Sequence, residues 1–178
     1  MSLASRPTLM GYGGAVSAGH YLATQIGAQQ LAEGGNAADA ACAMGFALQV
    51  LEPTQNGPGG EVPILVYQAS EDQTIAISGQ GTAPAAANIP ALRERGVDLI
   101  PDDGFLAATV PAALDAWCQL LEHFGTRRLA DVMAPAQALA ARGFPMHAFL
   151  HENLSEVATR IRSERHQRRN LFANSRDR

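Results

Sequence analysis

Gln80 stands between two glycines in the segment SGQGT at 78–82, directly after TIAIS at 74–78, which reads as a strand. Loops at strand ends, held by a rigid sheet, collect ligand contacts. The flanking Gly79 and Gly81 leave the Gln80 side chain and the neighbouring backbone amides accessible. A loop glutamine bonded to nearby backbone accounts for the same residues, so Gln80 is a candidate binding group and not a nucleophile. Two other glycine-rich stretches, GYGG at 11–14 and NGPGG at 56–60, invite a phosphate-binding reading. Neither has the spacing of a dinucleotide fingerprint or a P-loop, and NGPGG precedes a strand where a phosphate loop follows one. Their glycines serve positive φ or close backbone packing. His147 and His151 are four apart on an expected helix with Glu152 alongside. Two ligands without a third make a poor metal site, and a solvated helical face is the simpler account. Cys118 with His123, or Ser78 with any histidine, has nothing in its spacing to mark a nucleophile and its base. No metal and no cofactor are expected.

The elements that position these residues follow from periodicity and punctuation. A helix is expected over 18–33, stopped by Gly34–Gly35. Asn36 with Asp39 three residues on forms a capping-box pattern ahead of AADAACAMGFALQVL, a helix apolar nearly all round and therefore buried. The loop at 52–62 leads into two strand-like runs, VPILVY at 62–67 and TIAIS at 74–78, joined by a polar turn over 68–73. Their continuous apolar character predicts a hairpin covered by other layers. Shorter helical stretches follow at 89–96, from Pro111 to about His123, over 129–142 with a break and restart at Pro135, and from about His147 onward. Helices, a buried hairpin, then more helices make an α+β arrangement with an antiparallel sheet.

Composition excludes several classes. The 178 residues are 47% apolar and 17% charged, which is globular composition and room for one core. Alanine fills 33 positions and glycine 17, while aromatics are only 6%, so the core is built from small side chains and closely approaching backbones. The longest nearly apolar stretch, 40–51, is too short for a membrane span. The opening residues lack the pattern of a secretory signal. Cys42 and Cys118 lie in apolar helical segments and are expected as buried reduced thiols. A cytoplasmic location is expected. All 13 basic residues are arginine, and seven of them lie between 160 and 178 against two acids. That stretch carries +5 and the rest of the chain −9. With one aromatic and no recognition motif, it reads as a solvated helical or frayed tail rather than a nucleic-acid surface.

Five ordered blocks resemble one family, the γ-glutamyltransferases or γ-glutamyl transpeptidases. They are AEGGNAADAACAMGFALQVLEP at 32–53, NGPGGEVPILVY at 56–67, SGQGTAPAAA at 78–87, TVPAALDAW at 109–117 and FGTRRLADVMAPAQALAARGFPMH at 124–147. The resemblance covers about 11–150 and divides the chain into an N-terminal large-subunit segment, 1–150, and a tail, 151–178, unlike the family's continuation. It implies an N-terminal-nucleophile hydrolase with a four-layer α-β-β-α sandwich, incomplete in this chain. It also implies a precursor that cuts itself into two subunits, and a new N-terminal threonine that attacks the γ-glutamyl amide and passes the acyl group to water or an amino acid.

Two departures qualify that expectation. None of the eight threonines, Thr8, Thr24, Thr54, Thr74, Thr82, Thr109, Thr126 and Thr159, is followed by the Thr-His that marks the family's nucleophile. These residues by themselves are therefore expected to be inactive, the nucleophile coming from a complementary C-terminal subunit. Second, the resemblance places the family's carboxylate-gripping arginine at Gln80. A neutral amide gives a weaker hold on a free carboxylate than a bidentate guanidinium. The readings that follow are a γ-glutamyl amide hydrolase or transferase in fragment form, a family amidohydrolase with a substrate unlike glutathione, a split-enzyme subunit, or a non-catalytic binding module.

Overall fold

The structure is a computed structural model that describes residues 8–163 apart from 102, 103 and 105. The arginine-rich end beyond 163 lies outside the described residues. The elements in order are α1 (Tyr21–Ala32), α2 (Ala37–Leu51), β1 (Ile64–Gln68), β2 (Gln73–Ile77), α3 (Ile89–Glu94), α4 (Ala113–Phe124), α5 (Leu129–Arg142) and α6 (Ala148–Ser163). Helices dominate and the sheet is a single antiparallel pair, so the expected α+β class stands.

α2 is the centre of the molecule. The apolar run predicted to be buried is packed by α1, α4 and α5. Ala38, Cys42, Ala43 and Phe46 meet Leu120 and Leu121 of α4 and Val132 and Ala136 of α5, while Ala47 and Leu51 meet Ala23 of α1 and Leu139 of α5. Alanine and glycine let these helices approach closely. A Cβ on Gly45 would overlap the Trp117 indole, so α4 packs on α2 only because that position has no side chain. Full burial of side chains such as Leu51 and Leu139 stabilises by about 1.5–3 kcal/mol each.

The capping box is present. Asp39 N–H donates to the Asn36 side chain (3.1 Å), and Asn36 N–H donates to the Asp39 carboxylate (2.8 Å). α1 begins later than the sequence indicated, at Tyr21, because Leu22 N–H donates to Nδ1 of His20 (3.1 Å), which sets the N-cap. α5 runs unbroken through Pro135, where a restart was expected. One lost backbone bond there costs on the order of 3 kcal/mol, and burial of Val132, Ala136 and Leu139 along the same face offsets it. Pro111 precedes α4 rather than sitting in its first turn. Ala112 caps the helix with no side-chain bond.

The hairpin pairs Ile64 with Ile77, Val66 with Ile75 and Tyr67 with Thr74. Its covered character holds for one face only. Ile64, Val66 and Ile77 pack against the helical core, whereas Leu65 is 77% and Tyr67 63% exposed on the opposite face. The two-residue alternation of a strand sends every second apolar side chain away from the helices. Among the described residues no helix is long and apolar enough to cross a membrane.

Candidate functional site

The chain from Gly79 to Gly81 leaves β2 and is clamped between two other backbones. Gly79 carbonyl accepts from Val62 N–H (2.9 Å), and Gly79 N–H donates to the Ile77 carbonyl (3.1 Å). A Cβ at Gly79 would overlap the Val62 carbonyl, and one at Gly81 would overlap the Val110 carbonyl. Both positions therefore require glycine for close backbone approach. Gly60 completes the clamp. Its carbonyl accepts from Ala112 N–H (3.3 Å) and Ala113 N–H (3.0 Å), tying the loop before β1 to the start of α4. Between the two glycines Gln80 points its exposure outward.

The result is a rigid loop presenting one neutral amide side chain, able to donate two hydrogen bonds and accept others. The sequence placed Gln80 on an accessible loop, and there it sits. The expectation of accessible amides on both neighbours is corrected: Gly79 is buried and its N–H is already used. Gly60 also lines an open groove of about 430 Å³ with Pro53, Thr54, Gln55, Asn56, Gly57, Gly59 and Glu61. The amides that open α4 are occupied by Gly60, and Asn36 takes the Asp39 and Ala40 amides of α2 through its side chain and carbonyl.

The remaining candidates separate. Cys118 and His123 are five apart on α4, a spacing that turns the two side chains to different faces. Cys42 is buried and free. Burial above all, with Asp39 and Cys118 adding to it, pushes its thiol up to about 12. Cys118 is free but only half-buried, so the expected buried thiol is fully met at Cys42 alone. His151 is exposed, whereas His147 is partly buried and caps α6 through Nδ1, which accepts from Leu150 N–H (3.2 Å). The two do not form a ligand pair. Among the described residues no group of three or more His, Cys, Asp or Glu side chains is arranged to hold a metal ion.

Two features escaped the sequence. Asp39, fully buried, accepts from Asn36 N–H, Thr126 N–H (2.8 Å), Thr126 Oγ1 (2.6 Å) and Arg127 N–H (3.0 Å). Burial acts to raise its carboxyl, but these donors, led by the Thr126 hydroxyl, outweigh it and hold the carboxyl below its ordinary value. The other feature is His20, whose ring lies 5.3 Å from that of His147. Histidine is not among the usual N-cap residues, so no local signal marks it.

The sequence model of the family described as Gamma-glutamyltranspeptidase matches residues 23–178. The chain belongs to the γ-glutamyltranspeptidase family. That match runs through 151–178, the segment expected above to be unlike the family's continuation. A glutathione hydrolase proenzyme of Bacillus subtilis (strain 168) is 35% identical over 156 residues, covering 85% of this chain and 27% of the relative. The Acylase ACY 1 proenzyme of Pseudomonas sp. (strain SE83) is 37% identical over 155 residues, covering 82% and 27%. Among solved structures, the γ-glutamyltranspeptidase of Helicobacter pylori superposes with a TM-score of 0.83 at 31% identity, covering 93% of this chain and 48% of that one. A structure of LmbA2991 gives 0.89 at 41% identity, covering 96% and 29%. The chain thus spans about a quarter of the length of these two curated relatives.

Proposed function

We propose that these residues form the N-terminal part of the large subunit of an amide hydrolase of the γ-glutamyltranspeptidase family, with the Gln80 loop facing the acyl group of the substrate. The nucleophilic threonine comes from sequence outside the 178 residues, as does the remainder of an α-β-β-α sandwich. The outward hairpin face, with Leu65 and Tyr67 uncovered, is the surface those later strands complete.

One observation carries the choice of substrate. Gln80 is neutral and is presented by a loop that its own glycines lock in place. The family resemblance calls for arginine at this point to grip a free α-carboxylate. A hydrogen bond to a charged group contributes about 1.5–3 kcal/mol and a neutral one about 0.5–1.5, so the substitution weakens selection for a γ-glutamyl group. The favoured substrate is an amide whose acyl group lacks that carboxylate. Both glutathione hydrolases and an acylase stand among the relatives, and the neutral side chain of Gln80 favours the second kind of substrate.

The test compares kcat/KM of the full-length protein and its Gln80→Arg variant on a γ-glutamyl anilide and on an N-acyl anilide without an α-carboxylate. The variant gains about tenfold on the γ-glutamyl compound and loses on the other. No gain on the γ-glutamyl compound overturns the substrate reading.

A further inference from the structure

His20 and His147 come from opposite ends of the described chain and do the same thing. Each is an N-cap acceptor: Nδ1 of His20 receives Leu22 N–H (3.1 Å) at the start of α1, and Nδ1 of His147 receives Leu150 N–H (3.2 Å) at the start of α6. A ring that accepts at Nδ1 is neutral and carries its proton on Nε2. Both Nε2 atoms are buried, with no hydrogen-bond partner in the protein among the described residues. The rings lie 5.3 Å apart, tilted 46°. Around them, Tyr21 of α1 stacks on His20 at 4.6 Å, Phe144 meets it edge-on at 6.4 Å, and Phe149 of α6 lies parallel to His147 at 6.4 Å. The charged group acting on His20 is Glu52 at the end of α2, whose carboxylate lies against Gly19.

We propose that His20 and His147 form an acid-released latch that holds the start of α6 against the start of α1. Protonation of either ring puts an N–H on Nδ1, facing the backbone N–H it had accepted, so a helix cap is lost with each proton. Protonation of both also places two positive charges in contact inside an aromatic surround. α6 depends on this joint. Of its described side chains only Leu150 is buried, and Phe149 is 56% exposed.

Direction follows from the environment. Burial first, then His147, lowers the pKa of His20 below its ordinary 6.5, and Glu52 opposes them without prevailing. A depressed folded-state value means that the contribution of His20 is present in full above about 6.5. It is lost as pH falls below that value toward the folded pKa. Asn is the informative replacement because its side chain also accepts at an N-cap and does not titrate.

The experiment is amide hydrogen exchange on the full-length protein at pH 7.5 and pH 5, corrected for intrinsic exchange, on peptides spanning 143–154 and 19–32. Protection at the start of α6 falls roughly tenfold on acidification. In His147→Asn it stays within about twofold at both pH values. Titration of the histidine ring protons in the unmodified protein is the second measurement, independent of any variant, and gives His20 a midpoint below 6.5. Equal acid response in the parent protein and the variant, unchanged protection across the pH range, or a His20 midpoint at or above 6.5 would each overturn the latch.

Discussion

Asp39 and Thr126 are 87 residues apart and share two hydrogen bonds, one from the threonine N–H to Oδ1 at 2.8 Å and one from its hydroxyl to Oδ2 at 2.6 Å. Arg127 N–H adds a third bond from the same loop at 3.0 Å. Asn36, the other half of the capping box, donates its side-chain amide to the Phe124 carbonyl at 2.6 Å. The start of α2 is therefore the fastening for the turn between α4 and α5, and α4 in turn carries the backbone that clamps the Gln80 loop.

Asp39→Asn keeps the shape and removes the charge. An asparagine NH2 then faces donors, leaving buried N–H groups without an acceptor. The expected loss is about 3 kcal/mol or more, since bonds to charged groups contribute 1.5–3 kcal/mol each and orphaned buried donors add their own cost. Thr126→Val, which removes one hydroxyl donor, costs about 1.5–3 kcal/mol. Urea denaturation of the two variants, with midpoint and slope compared, checks both values.

The same carboxylate sets an acid limb of stability. Its folded pKa is depressed from 3.8, so it contributes above that value, and the contribution is lost as pH falls through the folded pKa. Unfolding free energy measured from pH 5 down to pH 2 should decline below about pH 4. In Asp39→Asn that decline should be shallower. An identical slope in the variant would assign the acid limb to other groups.

The capping box and the bounds of α2 were readable because Asn36, Asp39 and the apolar run after them are local signals, fixed within four residues of one another. Gly79 and Gly81 were readable as special positions for the same reason, although what approaches them, Val62 and Val110, was not. The failures share one cause: each depends on a partner distant in sequence. Pro135 reads as a breaker until α2 is placed against its helix. The hairpin reads as covered, but which face the helices take follows only from the register, which turns Leu65 and Tyr67 away from them. The Asp39 tie to Thr126 spans 87 residues and the His20 contact with His147 most of the described chain, beyond any periodicity.

Cys42 should be inert in the folded protein. Its thiol is buried, donates weakly to the Trp117 carbonyl at 3.5 Å, and is pushed up to about 12. At pH 8 almost none of it is thiolate, the form that reacts. Iodoacetamide labelling read by mass spectrometry should leave Cys42 unmodified until denaturant is added, while half-buried Cys118 is modified first.

The outer hairpin face gives a test of the proposed sandwich. Leu65→Thr with Tyr67→Thr removes exposed apolar surface while supplying β-branched side chains suited to a strand. In the 178-residue chain alone, the double variant should raise the monomer fraction in size-exclusion chromatography with unchanged helical circular dichroism, because an exposed apolar strand pair promotes association. In the full-length protein the same changes should destabilise by about 2–4 kcal/mol if the proposed later strands bury this face. Equal stability of the full-length parent and variant would mean that later strands do not cover this face.

Gly81→Ala separates the loop's shape from the chemistry of Gln80. The added methyl has no room against the Val110 carbonyl, and because both partners are backbone, neither yields without moving the start of α4 or the end of β2. The displaced loop carries Gln80 with it. Gln80→Ala instead removes the side chain and leaves the clamp intact. If Gln80 holds the acyl group, Gln80→Ala raises KM by about fivefold to tenfold, the worth of one neutral hydrogen bond, with thermal stability unchanged. Gly81→Ala lowers the melting temperature as well as the activity. Should Gln80→Ala leave KM unaltered while Gly81→Ala abolishes activity, the loop would act through its backbone, and the side chain at position 80 would have no part in binding substrate.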